Sequence, residues 1–198
     1  TRKDVYRINS IANALEEANV AYDIIVAGDA YFKNPVSFNT LNHYKKVLVQ
    51  EDEYTWFIAN NATLKNNLNL LGDKLDRIVT HNEDGQAQAI DLNALNTCLD
   101  YTVSSSASGV HLYPRISSTT SGRMVIHVVN TNYDDHHQFV AQNGLRLSLA
   151  NADYSKASFY QAGHAPMPLS VLANGNTIQV SGIENLDAWG IVLLENEF

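Results

Sequence analysis

The densest run of possible ligands in this sequence is Asn130-Thr131-Asn132-Tyr133-Asp134-Asp135-His136-His137. Carboxylate and amide oxygens are the hard ligands that calcium takes, which makes Asp134 and Asp135 the candidate metal residues. Against this, adjacent His136 and His137 point in different directions in extended chain, and no regular ligand spacing appears. A hydrated hairpin loop is the competing reading. A second group is aromatic: Tyr101, Tyr113, Tyr133, Tyr154, Phe159, Tyr160 and Trp189. Flat rings flanked by hydrogen-bonding groups can stack on sugars, and the same rings fill β-sandwich cores. Tyr113, Tyr133 and Trp189 are the candidate carbohydrate-binding residues. Trp189 also opens the apolar run Trp-Gly-Ile-Val-Leu-Leu, which favours core or edge packing. An exposed ring coplanar with a neighbour would support binding, and burial would support a structural role.

Glycoside cleavage usually needs two carboxylates about 5 to 10 Å apart. Asp23, Asp29, Glu51, Asp52 and Glu53 lie at or near predicted strand ends, but nothing pairs them by spacing. No serine sits in a Gly-x-Ser-x-Gly turn, and no Gly-rich phosphate loop is present. Gly28-Asp29 lacks the further glycines of a dinucleotide site. No catalytic residue is therefore assigned, and no cofactor is expected other than calcium. His111 and His127 fall inside predicted strands, and His164 precedes Pro166 in a turn. Cys98 sits among apolar helix positions and reads as a buried thiol; as the single cysteine it excludes an internal disulfide. One acceptor sequon, Asn61-Ala62-Thr63, is too common a pattern to fix a compartment.

These residues must be held by a folded chain, and the composition provides one. With 45% hydrophobic and 17% charged residues over 198 positions, the sequence is globular, with length for one large domain or two small ones. Its net charge of −8, with scattered Lys and Arg, argues against nucleic acid and anionic membrane surfaces. No apolar run approaches the roughly 20 residues of a membrane helix.

Val5, Ile8, Ala12, Leu15 and Ala18 follow helical spacing, with Asp4 able to cap the start. Residues 21–27 carry Ile24-Ile25-Val26 and read as a buried strand ending at Gly28-Asp29; residues 39–44 are polar and connecting; residues 46–50 read as a second strand. Residues 54–75 fit one or two amphipathic helices broken near Asn60-Asn61. A short strand at 77–80, a turn at 82–85 and a short helix capped by Asp91, carrying Leu92, Leu95 and Leu99, complete this part. The rhythm is that of a doubly wound α/β sheet. Such a unit should open on a strand, and none precedes the first helix, so the α/β layer is expected to be truncated. After about Tyr101 helical spacing disappears. Ser104-Ser105-Ser106-Ala107-Ser108-Gly109 reads as a flexible junction, and strand-like runs follow at 109–116, 123–130, 145–150, 158–161, 177–182 and 188–195. Turn signals separate them at Ser121-Gly122, Asn143-Gly144 and Asn174-Gly175-Asn176.

The fold class expected is thus α/β plus all-β, with an α/β domain over residues 1–100 and an antiparallel β-sandwich over 101–198. Three runs make the second domain familiar: Gly109-Val110-His111-Leu112-Tyr113-Pro114-Arg115, then Met124-Val125-Ile126-His127-Val128-Val129-Asn130-Thr131-Asn132-Tyr133-Asp134, then Ala188-Trp189-Gly190-Ile191-Val192-Leu193-Leu194. Together they resemble the C-terminal β domain of multidomain glycoside hydrolases of the β-galactosidase and agarase kind. Tyr22-Asp23-Ile24-Ile25 with Tyr44-Lys45-Lys46-Val47-Leu48-Val49 looks like the flavodoxin-like accessory domain that follows a TIM barrel in such enzymes. The resemblance implies a partial flavodoxin-like parallel layer. It also implies a non-catalytic role, because in that family the catalytic carboxylates belong to the barrel. Partners would then be the catalytic barrel of the same parent chain, a glycan, or a second copy in a homo-oligomer. The compartment would be extracellular or periplasmic. Two rivals stay open: a carbohydrate-binding module gripping glycan with exposed aromatics, and a small stand-alone α/β enzyme using Asp23 or Asp29.

Overall fold

The computed structural model describes residues 2–27, 36–81, 88, 90, 101–116 and 122–196, without the side chains of residues 2–9 and Phe57. The chain divides into two compact units, one of residues 1–14 with 22–98 and one of residues 15–21 with 99–198. A parallel α/β pair and an eight-stranded antiparallel sheet make the class α/β plus all-β.

In the first unit, α1 (Arg2–Glu17) begins the chain, and only its last turn belongs to the second unit. α2 (Phe38–Asn42) is capped by Ser37, whose hydroxyl accepts from Thr40 N, so the stretch expected as polar connection is partly helical. β1 (Val47–Gln50) leads into α3 (Glu51–Asn60), where the Gln50 side chain accepts from Glu53 N at 2.9 Å. Glu51, Asp52 and Glu53 fill the first turn of α3, where the helix dipole favours negative charge. The break near Asn60-Asn61 is real: Asn61 caps α4 (Ala62–Asn69) by accepting from Leu64 N at 2.9 Å. A 3-10 turn (Gly72–Lys74) brings the chain to β2 (Leu75–Ile78), parallel to β1 with Val47 opposite Leu75. Leu41, Leu64, Leu68 and Leu71 form the core beneath this crossover.

Two expectations here need correction. Residues 21–27 form no strand; Ile24 and Val26 are 65% and 55% exposed, while Ile25 and Ala27 pack on the core. Only alternate side chains of the β-branched run face inward, so it is not buried on both faces. The later strand lies at Leu75–Ile78 rather than 77–80, because Leu75 leaves the helical stretch to join the core cluster. Asp29, the turn at 82–85, the helix at Asp91 and Cys98 lie outside the described residues.

The second unit is built on β3 (Thr102–Ser105), β4 (Val110–Ile116), β5 (Arg123–Asn130), β6 (Leu145–Ala150), β7 (Lys156–Tyr160), β8 (Met167–Asn174), β9 (Thr177–Ile183) and β10 (Trp189–Glu195). Their order across the sheet is β3-β6-β9-β8-β7-β10-β5-β4. β8 serves both layers: residues 167–169 pair with β7, and residues 170–174 pair with β9. Strands that switch sheets in this way make the corners of a sandwich. β3 and β4 lie at opposite ends of the order although only residues 106–109 join them, so the sheet closes over one core. That core alternates strictly, with Leu112, Ile126, Val128, Leu147, Leu149, Val180, Val192 and Leu194 fully buried. In β9, Gly182 is the extra residue of a bulge opposite Leu145 and Arg146, with φ +102°. The bulge resets the phase, so that Ile183 as well as Val180 points inward.

Two strands replace expected loops. β3 takes the first two residues of the serine-rich junction, 104–105, and pairs with β6, its single buried apolar side chain being Val103, while residues 106–109 remain a connection. β8 lies in a stretch where Pro166 and Pro168 argue against a strand. It forms because Met167, Leu169 and Val171 alternate against the core. The free edge of β4 is closed by Asn19, whose Oδ1 accepts from Leu112 N at 2.8 Å. Pro114 lies on the same edge strand, where a missing N–H is tolerated.

Candidate functional site

Because side chains alternate along a strand, the residues between the core positions of β4, β5, β10 and β7 share the outer face of the sandwich. Pairing sets them in rows. His111, Val129 and Trp189 lie in one row. Tyr113, His127, Ile191 and Tyr160 lie in the next. With strands about 4.8 Å apart, Tyr113 and Tyr160 are roughly 14 Å apart across the sheet. Trp189 is 44% exposed, so this ring is not a core residue. It stacks on His127, centroids 5.8 Å apart and planes inclined by 18°. Tyr113 is half-buried, and burial raises its phenol above the ordinary value, with the negative charge of Glu16 adding to the shift. His111 Nδ1 lies 3.4 Å from the carbonyl of Glu16, so the last turn of α1 bounds the β4 side of this face.

The structure therefore brings Tyr113 and Trp189 to one surface with His127 between them. Tyr133 belongs elsewhere. It lies on the loop after β5, 54% exposed, its ring 4.6 Å from that of Phe139 with the planes tilted by 35°. Asp134 holds this loop: its Oδ1 accepts from His136 N at 2.8 Å and Gln138 N at 2.9 Å, while His137 turns through φ +59°. This is the side chain-to-backbone turn that Asp favours. Asp135 is exposed beside it. Among the described residues no group of three or more His, Cys, Asp or Glu side chains is placed to hold a metal ion.

The base of the loop is fixed by Asn130, buried at the end of β5. Its Nδ2 donates to the carbonyls of Val140 (2.9 Å) and Asp187 (2.6 Å), and its Oδ1 accepts from Asn132 N (3.1 Å). Asn132 in turn donates to the carbonyl of Ser108, tying this loop to the one joining β3 and β4. Elsewhere, Tyr101, Tyr154, Asn151 and Asn196 line a shallow recess of about 190 Å³ at the end of the sandwich.

Asp23 is exposed on the irregular segment, and Glu51 accepts a forked pair of bonds from Arg77, whose guanidinium lies 4.6 Å over the Tyr54 ring. Tyr160 belongs to the aromatic group read from the sequence but not to the candidate binding residues, and the sequence marks His127 only as a strand residue. Their signal is their alternation with buried Ile126, Val128 and Phe159.

No protein-family model matches this sequence, and no curated protein matches it. Among solved structures, α-L-fucosidase isoenzyme 2 from Paenibacillus thiaminolyticus aligns with 48% of this chain at 10% identity and a TM-score of 0.36. An apo exo-carrageenase GH42 from Bacteroides ovatus aligns with 96% of it at 10% identity and a TM-score of 0.34. Both distant neighbours are glycoside hydrolases. The chain spans 15% of the first and 27% of the second.

Proposed function

We propose that this chain is a non-catalytic accessory region of an extracellular or periplasmic glycoside-degrading enzyme, and that its β domain contacts glycan. The observation that carries the reading is the outer face of β4, β5 and β10, where exposed Trp189 lies nearly parallel to His127 beside Tyr113. Flat, partly wet rings of this kind present an apolar surface with polar edges, which suits the faces of sugar rings. The half-buried Val125, Val129, Ile191 and Leu193 on the same face favour a second reading, in which it packs on the catalytic barrel of the parent chain.

A glycan-array screen of the chain, paired with turnover assays on the same polysaccharides, separates the readings. Binding without turnover is expected, and Trp189→Ala should weaken it by about 2 kcal/mol, roughly thirtyfold in Kd. Absence of binding to any glycan would favour the packing role, and turnover by this chain alone would overturn both.

A further inference from the structure

The inward phase of three strands runs on past the strand ends. Val103 leads back to Tyr101, Leu149 leads on to Asn151, and Leu194 leads on to Asn196, each a step of two residues. Aliphatic side chains fill this phase within the strands, whereas two of the three positions beyond them carry amides. These residues line the recess of about 190 Å³ at the end of the sandwich, with the buried Met124 at its base. Asp153 and Tyr154 join them from the segment that crosses from β6 to β7. The walls are pinned through the backbone. Asn151 N donates to the carbonyl of Asn176 at 2.7 Å, Ser155 N to that of Glu195 at 3.2 Å, and Asn196 N to that of Gly122 at 3.1 Å.

Two tyrosine rings, two amides and a carboxylate thus surround a space worth about six waters. Amides both donate and accept, a carboxylate accepts, and ring faces take C–H surface. Among the described residues, Asp153 is the one charged group of this lining. Arg115, Arg123, Lys156 and Glu195 fall in the outward phase of their strands. A neutral ligand rich in hydroxyls matches such a lining, and an acidic one is repelled by Asp153.

We propose that this recess binds one neutral sugar ring, its hydroxyls held by Asn151, Asp153 and Asn196 and its C–H surface laid against the tyrosines. The space admits a ring and not a chain, so a monosaccharide or the end of a glycan fits. A shallow site of this size binds weakly, with a Kd on the order of 1 mM. The recess is separate from the aromatic face: at about 3.4 Å per residue, Trp189 lies roughly 20 Å from Glu195 at the other end of β10. The proposal therefore stands without the glycan-contact reading of that face.

The test titrates the isotope-labelled full chain with methyl glycosides of neutral hexoses and deoxyhexoses, with methyl galacturonoside and with glycerol, and follows the amide resonances. Expected is saturable binding of a neutral glycoside that moves the side-chain amide signals of Asn151 and Asn196, with the uronic acid at least about tenfold weaker. Asp153→Asn should weaken the neutral sugar about tenfold and remove the discrimination against the uronic acid. Asn151→Gly should also weaken binding; φ is +56° at this position, so glycine removes the amide without backbone strain. Trp189→Ala should change neither affinity, and thermal unfolding checks that each variant folds. Binding that Trp189→Ala abolishes and the recess variants leave intact would overturn the recess and keep the outer-face reading. Glycerol binding as tight as that of the glycosides, or tighter binding of the uronic acid, would overturn the neutral sugar as ligand. Failure of every neutral glycoside to move the two amide signals would overturn the site itself.

Discussion

The indole of Trp189 lies over the imidazole of His127 at a centroid distance of 5.8 Å, although the two residues come from strands distant in sequence. The stack holds a large ring upright on a sheet face while leaving it 44% exposed. Removing its support should therefore change the ring before it changes the fold. His127→Ala is expected to shift the tryptophan emission to longer wavelength with little loss of thermal stability. Because Trp56 also emits, the experiment is best read against His127→Ala in a Trp56→Phe background. An unchanged spectrum would show that the imidazole does not order the indole.

Asn130 tests how the loop beyond β5 is held. The side chain is 1% exposed and joins the carbonyls of Val140 and Asp187 to the amide of Asn132. Truncation leaves buried polar groups without partners, so Asn130→Ala should cost about 3 kcal/mol by urea denaturation. Asn130→Asp should cost more, because it places a carboxylate oxygen against two carbonyls. Equal stability of wild type and Asn130→Ala would show that water replaces the side chain.

Much of the β domain was legible from alternation alone. β5 and β6 span the residues expected: β6 alternates apolar and polar side chains, and β5 is a short, largely apolar run bounded by turn signals. β3 was hidden because Val103 is its one buried side chain, and β8 because prolines interrupt its pattern. The irregular segment at 21–27 misled for the opposite reason, carrying β-branched residues without a strand partner among the described residues. The aromatic face was legible only as residue types. That Tyr113 faces His127, and that Trp189 reaches the same imidazole, follows from the register of β4, β5 and β10. A single sequence does not encode long-range register in any local signal.

Two tyrosines should resist ionisation. Burial raises the phenol of Tyr154, and burial aided by the charge of Glu16 raises that of Tyr113. A folded-state value above the unfolded one means that the folded chain holds the proton more tightly. The resulting stability is complete below about pH 10 and is lost as pH rises through the higher folded value. Spectrophotometric titration should show these two phenols ionising above the ordinary tyrosine value. Tyr113→Phe and Tyr154→Phe should each flatten the alkaline loss of stability, and an unaltered slope in both would contradict the burial argument.

Gly190 provides the sharpest steric test. On β10 it points inward between Trp189 and Ile191, and a Cβ there would overlap the edge of the Phe159 ring on β7 and lie 3.2 Å from the carbonyl of Tyr160. No positive φ is involved, so the requirement is for space rather than backbone freedom. Phe159 is buried and packed on all sides, which leaves the ring little room to withdraw. Gly190→Ala should destabilise the β domain by about 2 kcal/mol, in the range of an overpacked core. Phe159→Leu removes the overlapping atoms and leaves a gap of its own, so the double variant should be more stable than the sum of the single changes allows. Strict additivity would show that β10 shifts to accommodate the methyl. The same shift would move Trp189 relative to His127, and the tryptophan emission of Gly190→Ala would then report it directly.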